Sequence, residues 1–134
     1  MTYRLEKLPD EPIVLITCPQ DFRVGPDVPA ATEEFDRLME AEVGQVYLLI
    51  DVTEFRVGID DMLSGASLAA GGDTSLFHKE CIRKILIISP SSLVAMSARG
   101  MNSRAFGYVP IDSCATMEDA LAYVREDLQV GDSV

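Results

Sequence analysis

The sequence predicts one α/β domain over residues 1–130, built on a mixed, mostly parallel β-sheet with about four helices and an N-terminal β-hairpin. Residues 45–51 (QVYLLID) and 84–89 (KILIIS) are almost entirely apolar, as strands buried on both faces are. Segments with apolar residues at helical spacing alternate with these strands, which is typical of parallel sheets with crossover helices. The chain has 134 residues, the usual size of one domain, and residues 131–134 are predicted to form a flexible tail.

The N-terminal region has the pattern of a β-hairpin. Residues 3–8 alternate imperfectly between apolar and polar side chains, and the β-branched residues 13–17 (IVLIT) are typical of a strand. Between them, residues 9–12 (PDEP) form a turn, because proline fixes φ and aspartate bonds its own backbone. This hairpin makes the predicted sheet mixed.

Two helices are predicted in the middle of the chain. After a loop over residues 18–29, the first helix covers about 29–43, since proline suits a first helical turn, and Gly44 ends it. The second helix covers 59–70, where methionine, leucine and alanine recur at helical spacing. Its small apolar face could pack on the sheet, on a partner or on a second copy of the chain.

The remaining elements follow in the last third of the chain. Residues 75–82 are predicted to form a short helical turn, and residues 90–98 a helix that begins at Pro90-Ser91-Ser92. The aromatic stretch 105–109 (AFGYV) is predicted to be a short strand. Thr116 then caps the last helix, with Asp119 three residues later in an aspartate variant of the capping box.

The acidic composition excludes several classes of partner. The chain has 22 acidic and 11 basic residues and a net charge of −11, which repels phosphate backbones and anionic lipids. No apolar run approaches the roughly 20 residues that span a bilayer. Three widely spaced cysteines show no metal-ligand or redox spacing. We therefore expect a cytoplasmic protein without nucleic-acid, membrane, metal or cofactor binding.

Three stretches together resemble the STAS fold, and in particular its SpoIIAA-like branch. These are the buried strand ending in acid at 48–55 (LLIDVTEF), residues 83–89 (RKILIIS), and residues 105–126, where a short aromatic segment leads into the final helix. The resemblance covers nearly the whole chain. It implies a protein-interaction or small-ligand-binding domain without chemistry of its own, and it is compatible with a homodimer.

The chain departs from the family at one functional position. In classical members of the family, the second helix begins with a phosphorylatable serine in an Asp-Ser-x-Gly context. The matching residues 58–62 (GIDDM) contain no serine, and acids occupy the place where a phosphoserine would add charge. Ser64 follows one turn later without a preceding aspartate.

The first hypothesis is a non-catalytic regulatory or protein-interaction module. Its surface would lie at the end of the first long buried strand and the start of the second helix, where ligands of open α/β sheets often bind. The alternative explanation for the acidic residues there is structural, because acids in a first helical turn complement the helix dipole. The candidate residues are Asp51, Thr53, Glu54, Asp60, Asp61 and Ser64.

A second candidate site begins the helix after residues 84–89. Ser89, Ser91 and Ser92 bring hydroxyls and free amides to a helix N-terminus, where an anion could bind, although ordinary helix capping explains the serines equally well. The second hypothesis is a small-molecule carrier or sensor with an apolar or anionic ligand, which an apolar pocket between sheet and helices would hold. A buried cavity lined by Met62, Phe77 and Met96 would favour it.

The third hypothesis is an enzyme that uses Cys18 or His78. Only four residues separate Cys18 from Arg23, one fewer than a phosphatase loop needs, and Asp21 would repel a phosphate there. His78, the only histidine, lies three residues from Cys81, a spacing that by itself is weak evidence for a catalytic pair. We therefore expect both residues to be structural and the protein not to be an enzyme.

Overall fold

The described strands form one sheet in which the order along the chain is also the order in space. The computed structural model describes residues 3–42, 44–56, 58–61, 76–104 and 108–132. Its strands are β1 (Arg4–Lys7), β2 (Ile13–Thr17), β3 (Val46–Asp51), β4 (Ile82–Ile88) and β5 (Ile111–Cys114). β1 pairs with β2 in antiparallel orientation, and every following pair of neighbours is parallel. The predicted mixed sheet with an N-terminal hairpin is confirmed.

Helices cover both faces of this sheet. They are α1 (Val24–Met39), α2 (Ser92–Met101) and α3 (Met117–Asp132), with a 3-10 turn at Leu76–His78. Residues 59–61 are helical, as predicted for the start of the second helix, whereas the predicted remainder at 62–70 lies outside the described residues. The predicted short helical turn within 75–82 corresponds to the 3-10 turn.

The alternation of side chains along β3 divides the core into two layers. Leu48 points into the layer that contains Phe35 of α1 and Val94 of α2. Tyr47 and Leu49 point to the opposite layer, where α3 packs. Because successive strand residues face opposite sides of a sheet, a strand covered on both faces must be apolar throughout. That requirement explains the sequence QVYLLID.

The first helix begins and ends earlier than predicted. It starts at Val24 rather than near Pro29, because a proline in the first helical turn needs no N–H and Pro26 occupies that turn. The Asp27 carboxylate accepts the backbone N–H of Arg23 at 2.7 Å, and Asp27 N–H donates to the Arg23 carbonyl at 2.9 Å. At the other end the helix stops at Met39. Gly44, with φ 92°, then turns the chain towards β3.

The predicted strand at 105–109 is wrong at Tyr108 and Val109, and β5 lies at Ile111–Cys114 instead. Tyr108 has a φ of 55°, in the left-handed region, where a strand cannot continue. Its N–H donates to the Ser103 carbonyl, and the Val109 N–H donates to the Met101 carbonyl, so this segment folds back on the end of α2. Residues 105–107 themselves lie outside the described residues.

The last helix confirms the predicted cap and extends further than expected. The Thr116 hydroxyl accepts the Asp119 N–H at 3.1 Å. The helix includes Gly131 and Asp132, which the sequence placed in the flexible tail, while residues 133–134 lie outside the described residues. Along α3, Ala120 and Val124 are fully buried against the sheet, which fixes the helix there.

Candidate functional site

The loops after β2, β3 and β4 meet at the carboxyl edge of the sheet. The Cys18 N–H donates to the Asp51 carbonyl at 2.9 Å, and the Val52 N–H donates to the Ile88 carbonyl at 3.0 Å. The Ser89 N–H in turn donates to the Cys114 carbonyl at 2.9 Å. Since β2 to β5 are parallel, both candidate sites from the sequence, the acidic one and the serine one, lie at this same edge. Ligands of open α/β sheets bind at such edges.

An open cleft lies between the loops that follow β2 and β3. Its volume is about 620 Å³, and its described lining consists of Pro19, Gln20, Asp21 and Glu54. The next residues in the two loops, Phe22 and Phe55, pack edge to face with ring centroids 5.3 Å apart and an interplanar angle of 74°. This aromatic pair joins the two loops and sets their separation. We call this feature the edge cleft.

Among the five acidic-surface candidates that the structure describes, Glu54 lines the edge cleft. Asp51 is engaged within its own loop, because its Oδ1 accepts both the N–H of Thr53 at 2.9 Å and the hydroxyl of Thr53 at 2.7 Å. Both contacts stabilise the turn that follows β3, as aspartate side chains commonly do. Ser64 lies outside the described residues.

Asp60 and Asp61 behave differently from each other. The Asp61 carboxylate accepts the Gly58 N–H at 3.0 Å, which satisfies a free backbone donor at the start of the helix. Asp60 is exposed to solvent. The capping explanation therefore accounts for Asp61, and Asp60 remains available for an interaction at the surface.

One hydrogen bond joins two residues of the serine cluster. Ser89 is buried, and its hydroxyl accepts the Ser91 N–H at 3.1 Å. Ser91 occupies the N-cap position of α2, but its side chain makes no capping hydrogen bond. Ser92 is exposed in the first helical turn. Because the Ser91 amide already has a partner, one of the donors predicted for an anion is occupied.

Cys18 is buried below the edge cleft and is held in the thiol form. Burial raises its pKa to about 12, and the neighbouring carboxylates of Asp51 and Asp27 add to the shift. Burial also raises the pKa of the half-buried Cys81 and Cys114. A thiol needs positive surroundings to become a nucleophile at neutral pH, and these surroundings have the opposite effect.

Phe77 and Met96 do not form the buried cavity that would favour a small-molecule carrier. Phe77 is packed in the core, whereas Met96 is 62% exposed on α2, so the two side chains do not line a common buried cavity. Met62, the third residue, lies outside the described residues. Within the described part of the chain, no cluster of histidine, cysteine, aspartate or glutamate side chains could hold a metal ion.

Sequence reasoning did not find the cleft lining contributed by the loop after β2. Pro19, Gln20 and Asp21 lie in the predicted loop at 18–29, where the sequence singles out only the charge of Asp21, which would repel a phosphate. The available signal was the position of this loop directly after a β-branched strand, since such loops gather at the carboxyl edge of a parallel sheet.

Comparison with solved structures identifies the architecture. The chain is similar to the crystal structure of an uncharacterised protein of the DUF3478 family, with a SpoIIAA-like fold, from Shewanella loihica PV-4. The similarity has a TM-score of 0.59 and 16% sequence identity, and it covers 91% of each chain. The fold is SpoIIAA-like. The resemblance stated from the sequence is thereby confirmed for the fold.

The SpoIIAA-like fold does not by itself assign an activity. The similar protein is uncharacterised, and at 16% identity the likeness concerns the fold alone. No family model and no curated protein matches the chain. In the described part of the chain, no helix is long and apolar enough to cross a membrane.

Proposed function

We propose that this SpoIIAA-like domain is a non-catalytic regulatory module that binds a partner protein at the edge cleft. The observation that carries the proposal is the cleft itself, which lies where two loops meet at the carboxyl edge of the sheet. Its described lining comes from both loops, with Asp21 on one side and Glu54 on the other. A partner inserted there would contact both loops at once.

The electrostatics of this edge favour a partner that presents positive charge. Asp21 and Glu54 line the cleft, and the exposed Asp60 lies on the helix that follows the Glu54 loop. The whole chain has a net charge of −11, which speeds the approach of a basic partner surface. An anionic ligand, part of the small-molecule hypothesis, would be repelled here.

The state of Cys18 supports binding rather than thiol chemistry. With a pKa of about 12, its thiol is protonated at neutral pH. It is also 2% exposed, so a substrate in the cleft would not reach its sulfur. The three cysteines are free, as is usual in the reducing cytoplasm, where we propose that the module acts.

The size of the cleft favours a second candidate function, the binding of a small polar or cationic ligand. Its volume of about 620 Å³ falls within the roughly 300–1,000 Å³ typical of ligand pockets. The cleft is open, however, and two of its four described lining residues, Asp21 and Glu54, are acidic, which suits a basic side chain of a protein partner better than an apolar small molecule.

The test compares proteins captured by the purified full chain from a lysate of its own host. Three baits are used: the unchanged chain, the cleft variant Asp21→Lys with Glu54→Lys, and a control variant Glu80→Lys with Glu126→Lys. The control changes the net charge equally at exposed positions, since Glu80 precedes β4 at the amino edge of the sheet and Glu126 lies in the second half of α3.

We expect a protein that is retained by the unchanged chain and by the control variant but is lost with the cleft variant. Binding of the purified partner, measured by calorimetry, should then weaken at least about tenfold in the cleft variant, since reversed charges at an interface turn attraction into repulsion. A partner whose affinity is equal for all three chains would show that the cleft is not the binding site. A small molecule seen by native mass spectrometry on the unchanged chain, and absent from the cleft variant, would favour the second candidate.

A further inference from the structure

The free edge of β1 carries a second inference, independent of the cleft. β1 is the first strand of the sheet and pairs with β2 on one side, and within the described residues no strand pairs with its other side. An unpaired strand edge presents a row of backbone donors and acceptors that another strand can bind. We propose that β1 pairs with β1 of a second copy of this chain, which joins two sheets into one.

The hydrogen bonding within the hairpin shows which backbone groups face outward. The Leu8 N–H donates to the Ile13 carbonyl at 3.0 Å, which makes these residues a hydrogen-bonded pair. Such pairs alternate along an antiparallel ladder, so Arg4 and Glu6 also direct their backbone groups to β2. Leu5 and Lys7 therefore direct their N–H and C=O groups away from the sheet, towards the free edge.

A two-fold symmetric pairing of identical edge strands is antiparallel and must match outward groups with outward groups. One register places Leu5 opposite Leu5 of the second copy and Lys7 opposite Tyr3. This arrangement allows up to about six new backbone hydrogen bonds, two for each hydrogen-bonded pair of residues. A shift of one residue would oppose outward groups with inward groups and would lose these bonds.

The charges of β1 select this register over its neighbours. In it, Arg4 lies opposite Glu6 of the second copy, twice by symmetry, at a non-hydrogen-bonded position where side chains are closest. A shift of two residues in one direction would oppose Arg4 with Arg4, and in the other direction Glu6 with Glu6. Within one chain Arg4 and Glu6 form a long ion pair of 3.9 Å, with side chains 77% and 41% exposed. Such an exposed pair contributes little, so both side chains can exchange it for a partner on the second copy.

Charged residues on edge strands usually discourage pairing, but here they are self-complementary in a single register. The strand is short, at four residues. The pairing therefore buries less area than a stable interface needs, and we expect a weak dimer with a dissociation constant between about 10 µM and 1 mM. The described residues that line the edge cleft are not part of this contact.

Sedimentation equilibrium on the full chain, from about 20 µM to about 1 mM, tests the dimer over that range. Arg4→Glu should weaken the dimer about tenfold, because both attractive cross-strand pairs become repulsive, and Glu6→Arg should do the same. An equimolar mixture of the two variants should regain the dimer as a heterodimer, and so should the double variant Arg4→Glu with Glu6→Arg. Controls with the same change in charge are Arg99→Glu and Glu126→Arg, both at exposed helix positions.

Comparison of the mixture with the unchanged chain makes the outcome specific to the proposed register. If Arg4 lay opposite Arg4, or Glu6 opposite Glu6, the mixture would dimerise more tightly than the unchanged chain, whereas in the proposed register the two should dimerise equally. A monomer at every concentration up to about 1 mM would overturn the proposal. So would a dimer of the unchanged chain that Arg4→Glu and Glu6→Arg leave intact, since it would then use another surface. Either of these two results would leave the cleft proposal unaffected, because the cleft proposal is tested with a different partner and different variants.

Discussion

The contact between Tyr47 and α3 gives the sharpest prediction about stability. Tyr47, the second residue of β3, is 1% exposed, and its hydroxyl donates a hydrogen bond to the Asp127 carboxylate of α3. The same carboxylate lies 3.3 Å from Arg83 Nε, and the Arg83 guanidinium lies 5.8 Å from the centre of the Tyr47 ring. The Asp127 side chain of α3 thereby contacts side chains of two neighbouring strands, β3 and β4.

The substitution Tyr47→Phe removes the hydroxyl and keeps the ring. A hydrogen bond to a charged group contributes about 1.5–3 kcal/mol, but Asp127 keeps Arg83 as a partner and its side chain is 35% exposed, so water replaces part of the loss. We therefore expect a loss of about 1–2 kcal/mol in the free energy of unfolding, which lowers Tm by roughly 3–8 °C for a domain of this size. Urea unfolding followed by circular dichroism measures it.

The pH dependence provides an independent check on the same contact. Burial, together with the hydrogen bond to Asp127, raises the pKa of Tyr47 to about 12, above its ordinary value of 10.0. The stabilisation that depends on the neutral phenol is therefore complete below pH 10 and is lost as the pH rises towards 12. The difference in unfolding free energy between the unchanged chain and Tyr47→Phe should shrink over that interval.

A matched control removes a hydroxyl from the surface. Tyr108 is 64% exposed, so Tyr108→Phe should change the unfolding free energy by less than about 0.5 kcal/mol. If Tyr47→Phe also lost less than that amount, or if its loss stayed constant between pH 9 and pH 12, the hydrogen bond to Asp127 would not be what stabilises this contact.

Three further predictions follow from other contacts. Thr116→Ala should lower the unfolding free energy by about 0.5–2 kcal/mol in urea unfolding, because the Asp119 N–H loses its cap; no change would mean that water replaces the hydroxyl. Asp61→Ala should cost roughly 0.5–1 kcal/mol through loss of the cap on the Gly58 N–H, whereas Asp60→Ala at the neighbouring exposed position should cost almost nothing; equal effects would refute the capping role. Cys18 should react with a thiol reagent at pH 7 far more slowly than the two half-buried cysteines, and fast labelling at Cys18 in the native protein would contradict its raised pKa and burial.

The fold was predictable from the sequence because buried parallel strands need apolar residues on both faces. Residues 45–51 and 84–89 met that requirement, and β3 and β4 lie there within two residues. The boundaries of α1 were less predictable, since either Pro26 or Pro29 could lie in a first helical turn. The hydrogen bond from the Arg23 N–H to the Asp27 carboxylate stabilises the earlier start of the helix, at Val24.

The strand near the end of the chain shows the limit of local patterns. The aromatic stretch at 105–109 has high β-propensity, but β-propensity mainly reflects how well a side chain fits a half-buried sheet surface. Here the hydrogen bonds of Tyr108 and Val109 go to residues 101–103 at the end of α2. The less apolar Ile111–Cys114 segment pairs with β4 instead. The position of this strand therefore depends on its pairing with β4, which a short stretch of sequence does not show.

The candidate site was predictable only in part. The acid at the end of the first buried strand indicated the carboxyl edge, and Glu54 does line the cleft there. Pro19, Gln20 and Asp21 lie more than thirty residues away in the chain, and only the pairing of β2 with β3 brings them beside Glu54. Likewise, the sequence could not show that the carboxylates of Asp51 and Asp61 accept hydrogen bonds from nearby backbone amides.

The sequence by itself determined the alternation of strands and helices, the acidic surface and the SpoIIAA-like resemblance, because periodicity and composition are local properties that each segment carries with it. Only the tertiary structure decided the position of β5, the residues around the edge cleft, the burial of Cys18 and the contact between Tyr47 and Asp127. Those features depend on which distant segments the sheet brings together, and on the burial and hydrogen bonding that result.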